Sequence, residues 1–349
     1  MHTLVIGKFY SEGFALHIAE TLADMGHQVE RFEPGIKSGR AKTLFGKRLE
    51  QVRAALFSTT DNLQYFRRKR ARTLWRNVES NQFDVALVCH DFLWPDEVAR
   101  LKEHVGAVAL WFPDHLGVFG KGYFMNAPYD ALFFKDPYLV RVLSDVLDSS
   151  VYYLPECCNP AKHTLPIESP IPSEFRCELT TAGNQHPYRS AFLKHLTQYD
   201  LKIWGNPAPL WLNSPWTDRA FQGRPVHNHD KVRAFRGAKI VINNLHYGEI
   251  EGVNVRAFEA ASSAAFQMVD WRLGLGQLFR DGEELVSFKN MRHLKQLIDY
   301  YLPRDSERDQ IRQAGFQRVM REHTYRLRLE LLLETINQRA AGYPMPERP

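Results

Sequence analysis

The 349 residues are 44% hydrophobic and 24% charged, with a formal charge of +5, which fits a globular chain of two ordinary domains. No apolar run approaches the ~20 residues of a membrane span, and the start "MHTLVIGKFY" lacks the basic region of a signal peptide. Four cysteines (Cys89, Cys157, Cys158 and Cys177) fit neither a disulfide framework nor a zinc site, so a reducing, cytoplasmic setting is expected.

Short β-rich runs then alternate with helical stretches. "TLVIG" (3–7) reads as a strand. "FALHIAETLADMG" sets Phe14, Ile18, Leu22 and Met25 on one helical face, with Gly26 as the stop. Further strands are expected at "HQVERF", 84–89, 107–112, 131–134 and 151–154, with helices near 65–78, 95–104 and 137–147. The stretch "NPAKHTLPIESPIPSEF" holds four prolines and reads as a linker. Beyond it the pattern repeats. Strands are expected at "CELTTAG", "LKIWG", "KIVIN", "AFQMVD" and "ELVSF". Helices are expected at 189–198, 229–236, 254–264, 291–302, 305–319 and 322–338.

This alternation implies two Rossmann-like, doubly wound α/β domains facing across a cleft. The expected boundaries are 1–160 for the first domain, 161–175 for the linker and 176–320 for the second domain. A terminal helix and tail follow at 321–349, the helix being a candidate to pack back on the first domain. Ligands of open α/β sheets bind outside the carboxyl ends of the strands, where loops and helix N-termini converge.

"FRRKRARTLWR" gathers Arg67, Arg68, Lys69, Arg70, Arg72 and Arg76, with no acid between Asp61 and Glu79. Such a cluster attracts an anionic membrane surface, a phosphorylated acceptor or nucleic acid. The solvated face of a helix is the competing reading.

The stretch "GEIEGVNVRAFEAASSAA" (248–265) is the most informative. A helix beginning near Asn254 puts Arg256 in its first turn, where the helix dipole disfavours a cation. An anionic ligand at that terminus reverses the argument, because free N–H groups and the guanidinium then bind it together. Glu251 and Glu259 would repel a phosphate unless they point at hydroxyls, which carboxylates accept well. A nucleotide sugar offers both features, a diphosphate flanked by two polyols. Glu249 is a competing acid close by. "TAGNQHPYR", after the first strand of the second half, supplies Gly183 and Asn184 in a loop and Arg189 at a helix start.

The E-x7-E spacing in "EGVNVRAFE" resembles the acidic motif of two-domain GT-B glycosyltransferases. The wider run, from "AKIVINN" through "EGVNVRAFEAASSAAFQMVD" and "LFRDGEELVSF" to "HTYRLRLELLLE", is similar to the C-terminal domain of CgeB-like glycosyltransferases. "LWFPDH", "YDALFFKD" and "VYYLPECCNP" resemble that family more weakly. The resemblance implies a nucleotide-sugar donor on the C-terminal domain and an acceptor on the N-terminal domain. It implies Glu259 on the ribose hydroxyls and Glu251 on the donor sugar. It also implies Arg189, with the Arg-x4-Lys partner Lys194, at the diphosphate. Where related enzymes carry a Gly-Cys/Thr-Pro turn after the second glutamate, this chain reads "ASSAAFQ".

The chain contains no D-x-D pair, so a metal-independent transferase with no cofactor beyond the nucleotide-diphosphate sugar co-substrate is expected. His227 and His229 lack a third metal ligand nearby. An inverting reaction needs a base on the acceptor side. Asp114 and Asp91 are the candidates, at the ends of N-terminal strands, with Glu12 and His17 near the first strand, and the position of Asp114 resembles that of the base in phage DNA β-glucosyltransferases. The expected acceptor is an envelope glycan, a lipid-linked glycan or another hydroxyl compound. Arg67, Arg68, Lys69 and Arg70 would serve the acceptor or a peripheral anionic membrane contact. A DNA-modifying glycosyltransferase and a non-catalytic two-lobed binding protein are the alternatives, nucleic acid ranking behind a glycan.

Overall fold

The computed structural model describes residues 1–34, 63–118, 120, 122–146, 150–208, 211–212 and 215–340. The proline-rich tail after 340 lies outside them. The first half runs β1 (His2–Ile6), α1 (Phe14–Asp24), β2 (Gln28–Phe32), α2 (Gln64–Ser80), β3 (Phe83–Cys89), α3 (Pro95–Lys102), β4 (Val105–Phe112), β5 (Ala131–Phe134), α4 (Pro137–Val146) and β6 (Val151–Tyr153). Its six strands form one parallel sheet in the order β2-β1-β3-β4-β5-β6. Helices cover both faces, so β4 ("VGAVALWF") is apolar almost throughout and buried along nearly its whole length.

The second half runs β7 (Cys177–Ala182), α5 (Pro187–Leu193), β8 (Leu201–Trp204), α6 (Asn228–Gly237), β9 (Ala238–Asn243), α7 (Val255–Ser262), β10 (Gln267–Asp270), β11 (Val286–Phe288), α8 (Met291–Tyr301) and α9 (Asp305–Glu322). The sheet is again parallel, in the order β8-β7-β9-β10-β11. Apart from β6, the strand order repeats that of the first half, so two doubly wound units are present.

Two local rules set key boundaries. Gly26, at φ +86°, takes the left-handed position that ends α1. The helix expected at 189–198 instead starts at Pro187, capped by the His186 side chain, and gives way to a 3₁₀ turn at Lys194–Leu196. Proline suits a first helical position because its missing N–H is not needed there.

The helix α10 (Tyr325–Ala340) lies with the first half. Tyr325, Leu329, Leu332, Leu333 and Ile336 share a buried cluster with Val5, Ile18, Leu22 and Trp111. Burying such side chains contributes on the order of 1.5–3 kcal/mol each. The chain passes between the two halves twice, and the passages lie side by side. Cys158 N–H donates to the His323 carbonyl and Tyr325 N–H donates to the Cys158 carbonyl, both at 3.0 Å. All four cysteines are free and buried.

Candidate active site

The carboxyl ends of both sheets face each other. On the C-terminal side, β7 ends in Gly183, and two guanidiniums reach it from different helices. A Cβ at Gly183 would lie 2.5 Å from Arg189 Nη1 and 2.6 Å from Arg256 Nη2, and its φ of +133° also favours glycine. Arg189 stands in the first turn of α5 and Arg256 in the first turn of α7. Both are more than nine-tenths buried.

Neither arginine has a carboxylate within ion-pair distance among the described residues. Arg189 Nη1 donates to the Asn184 carbonyl at 3.0 Å, and its Nε is buried without a partner. Arg256 Nη1 donates to Asn243 Oδ1 at 3.0 Å, and Asn243 and Asn254 exchange side-chain hydrogen bonds. Burial lowers the pKa of Arg189, and the nearby Arg256 charge lowers it further. Burial holds Arg256 down to about 10. Two buried like charges in the first turns of two helices make this a place whose electrostatics favour an anion. Lys194 is exposed and takes no part.

Glu259, the second glutamate of the spaced pair, faces a different neighbourhood. Its Oε1 accepts from Lys231 Nζ at 2.8 Å and lies 3.6 Å from His163 Nε2. Lys231 also binds Glu12 of the first half, and Glu12 accepts the Asn228 N–H. Burial alone would raise both carboxyls. Lys231 and His163 outweigh it and hold both below the usual carboxylate range. Glu12, His163 and Glu259 could together hold a metal ion, but the Lys231 ammonium already lies between the two carboxylates. Next to them His17 is buried, and burial, with the His163 charge behind it, pushes it down to about 4. Glu12, His90 and Asn228 all have positive φ (66°, 79° and 48°), so strained backbone gathers along this cleft.

Glu251 does not stand free. Its carboxylate binds Arg141 of α4 at 2.8 Å and 3.2 Å, and Asp136 accepts the backbone N–H groups of Ile250 and Glu251. Glu249 is the deeper acid. Its Oε1 accepts from Lys135 Nζ at 2.7 Å, while Oε2 is buried with no partner. Glu156 lies 3.7 Å from the same lysine. Burial raises its pKa to about 8, opposed by Lys135 and aided by Asp114. His115 and His246 stack across the domain boundary, with ring centroids 3.9 Å apart and planes 13° apart.

The two candidate bases differ. Asp114 follows β4, is 43% exposed at its side chain and sits 3.5 Å from His90 Nδ1. Asp91 accepts the N–H groups of Tyr123 and Phe124 at 2.8 Å and 3.0 Å, so it holds a turn. In the basic cluster Arg67 is buried, held bidentately by Glu97 and by the Phe92 carbonyl. It therefore cannot face an acceptor or a membrane. Arg68 and Lys69 are exposed, and α2 includes Arg70, whose side chain lies outside the described residues.

The geometry thus gathers Gly183, Asn184, Arg189, Asn254 and Arg256, with Glu259 on the neighbouring helix face. It separates Glu251 and Asp91 from them. Sequence reasoning missed Lys135, Glu156, His163 and Lys231. None carries a local motif, and each gains its partners only through the fold.

Residues 189–334 match the sequence model of the family described as Glycosyl transferase-like. No curated protein sequence matches the chain. Among solved structures, the fold is similar to sucrose-phosphate synthase from Thermosynechococcus elongatus (TM-score 0.61, 12% identity, covering 98% of this chain and 100% of that one). It is similar to a glycosyltransferase from Rickettsia africae (TM-score 0.63, 11% identity, 97% and 98% covered). It is also similar to HepE of Anabaena in complex with UDP and glucose (TM-score 0.62, 10% identity, 97% and 100% covered). At such identities these likenesses speak for the fold, while the matched segment includes Arg189, Arg256 and Glu259 but begins after Gly183 and Asn184. Taken together, the chain shares the two-domain fold of these glycosyltransferase structures, and residues 189–334 of its second half match the Glycosyl transferase-like family model.

Proposed function

We propose that the protein transfers a sugar from a nucleoside-diphosphate sugar to a hydroxyl of a glycan or lipid-linked acceptor, without a metal ion. One observation carries this reading: two buried guanidiniums, each in a helix first turn, converge on Gly183 with no carboxylate partner among the described residues. A diphosphate supplies the missing negative charge, and Arg189 and Arg256 would stabilise the charge that builds on it as the glycosidic bond breaks. That is the role a divalent cation would otherwise fill, hence the metal-independent reading.

Glu259 supplies an acceptor for ribose hydroxyls, held in place by Lys231. Asp114, with His90 beside it, is the candidate base for the incoming hydroxyl. A protein of this kind would act in the cytoplasm, on acceptors presented there or at the inner face of the membrane. Thermal-shift measurements with nucleoside diphosphates, in chelator and without added metal, test the reading. Stabilisation by one base family supports it. No shift with any of them in the folded protein, or a shift that requires added metal, overturns it or its metal-independent part respectively.

A further inference from the structure

The first domain carries a second basic site, away from the donor cleft. Helices α2 and α3 border a groove of about 840 Å³, lined among others by Arg68, Arg72, Arg76, Arg100, Trp75 and Trp94. Arg67 and Arg100 are already used. Arg67 binds Glu97 and lies 4.5 Å over Trp94. Arg100 binds Glu79 and lies 4.3 Å over Trp75. Arg68, Arg72 and Arg76 recur every fourth residue along one face of α2 and are exposed. None of the three has a carboxylate within ion-pair distance among the described residues, although Glu79, Asp96 and Glu97 also line the groove, the first and last of them already paired with Arg100 and Arg67.

The charge is segregated along the whole chain. Between positions 37 and 76 the sequence places twelve of its 45 Lys and Arg residues against only Glu50 and Asp61, which leaves the rest of the chain net negative. At the start of α2, Leu63, Tyr65 and Phe66 are 52%, 69% and 41% exposed. Phosphates alone would explain the arginines. They would not explain an aliphatic and two aromatic side chains held in water beside them. A lipid–water interface takes both, because head-group phosphates meet the guanidiniums while apolar side chains enter the acyl boundary. A nucleic-acid duplex offers the phosphates but no apolar layer.

We propose that the outer face of α2, with its groove and the Leu63–Phe66 edge, docks the protein on an anionic phospholipid surface. This contact stands independently of the donor site, and the transferase reading enters only in giving it a purpose: bringing a lipid-borne acceptor to the cleft. The test is sedimentation of the full chain with phosphatidylcholine vesicles, with and without phosphatidylglycerol, and with duplex DNA at the same salt.

Binding should require the anionic lipid and weaken steeply with salt. The triple variant Arg68→Ala, Arg72→Ala, Arg76→Ala should weaken it by about 10²-fold, and Leu63→Ser with Tyr65→Ser should weaken it further. The triple variant should keep the wild-type thermal shift with nucleoside diphosphate, which also shows that it folds. Should no nucleotide shift even the wild-type protein, the donor reading fails and the vesicle result still decides this one. Absence of vesicle binding, binding that survives high salt, an unaffected triple variant, or tighter binding to DNA than to vesicles would each overturn the proposal.

Discussion

Two buried charge clusters sit in the same cleft and are built on opposite terms. Around Gly183, Arg189 and Arg256 repel each other and, among the described residues, donate to neutral oxygen acceptors. Around Lys231, Glu12 and Glu259 share one ammonium with His163 alongside. The first cluster keeps its positive charge without a carboxylate partner among the described residues. The second is closed on itself and joins the two domains. Charge left open at Gly183 and charge neutralised at Lys231 therefore lie a short distance apart, with Glu259 in the neutralised set and also the residue proposed to meet the ribose.

That contrast can be broken from either end. Arg256→Ala should lower turnover by about 10²–10³-fold while leaving the melting temperature unchanged or higher, because a like-charge repulsion is relieved. Steady-state kinetics beside thermal unfolding would read both, and normal turnover in a folded variant would refute the phosphate role. Lys231→Met should act the other way. It should cost about 3 kcal/mol of stability, at the lower end for breaking a buried pair, since His163 remains to face the two carboxylates. Denaturant melts with an unchanged m-value would register it, and an unaltered midpoint would mean that the cluster is not structural.

Gly183→Ala should weaken nucleoside-diphosphate binding by roughly tenfold or more, because its methyl collides with both guanidiniums at a strained φ. Calorimetric titration measures this, and unchanged affinity would place the ligand elsewhere. A smaller effect separates two buried groups by pH. His17 titrates near 4 in the folded protein against an ordinary 6.5. The unfolded chain therefore binds more protons in that window, and stability falls as pH drops from about 6.5 to 4. Glu156, raised to about 8, binds its proton more tightly when folded, so its contribution is lost as pH rises toward 8. His17→Gln should flatten the acid limb and Glu156→Gln the alkaline limb of melting temperature against pH. A profile that neither variant changes would reject both assignments.

What the sequence made legible follows the range of each interaction. Strands such as "AVALWF" are local, so the fold class could be read from single stretches, and the dipole argument at Arg256 is equally local, its residue being found buried in the first turn of α7. The Glu12–His163–Lys231–Glu259 cluster joins four distant positions, and "NHDKVRAF" looks like any amphipathic helix start. The resemblance carried by the E-x7-E motif implies a sugar for Glu251, whereas Arg141, which holds it, is contributed by the other domain and leaves no trace in that motif. Arg67 is a different kind of miss, since its signal was present. It precedes Ala71, Leu74 and Val78 on the buried stripe of α2, and that periodicity would have removed it from the solvent-facing set.

The helix α10 has a consequence for how the protein comes into being. Its apolar face completes the core of the first domain, yet those residues follow the entire second domain in the order of synthesis. A nascent first domain must wait with the floor beneath α1 uncovered, its side of Ile18, Leu22 and Trp111 open to water or to a chaperone. The core of the second domain draws on Cys158 and on residues up to His323, all of which precede α10. The core of the first domain, by contrast, lacks part of its apolar lining until α10 has been made.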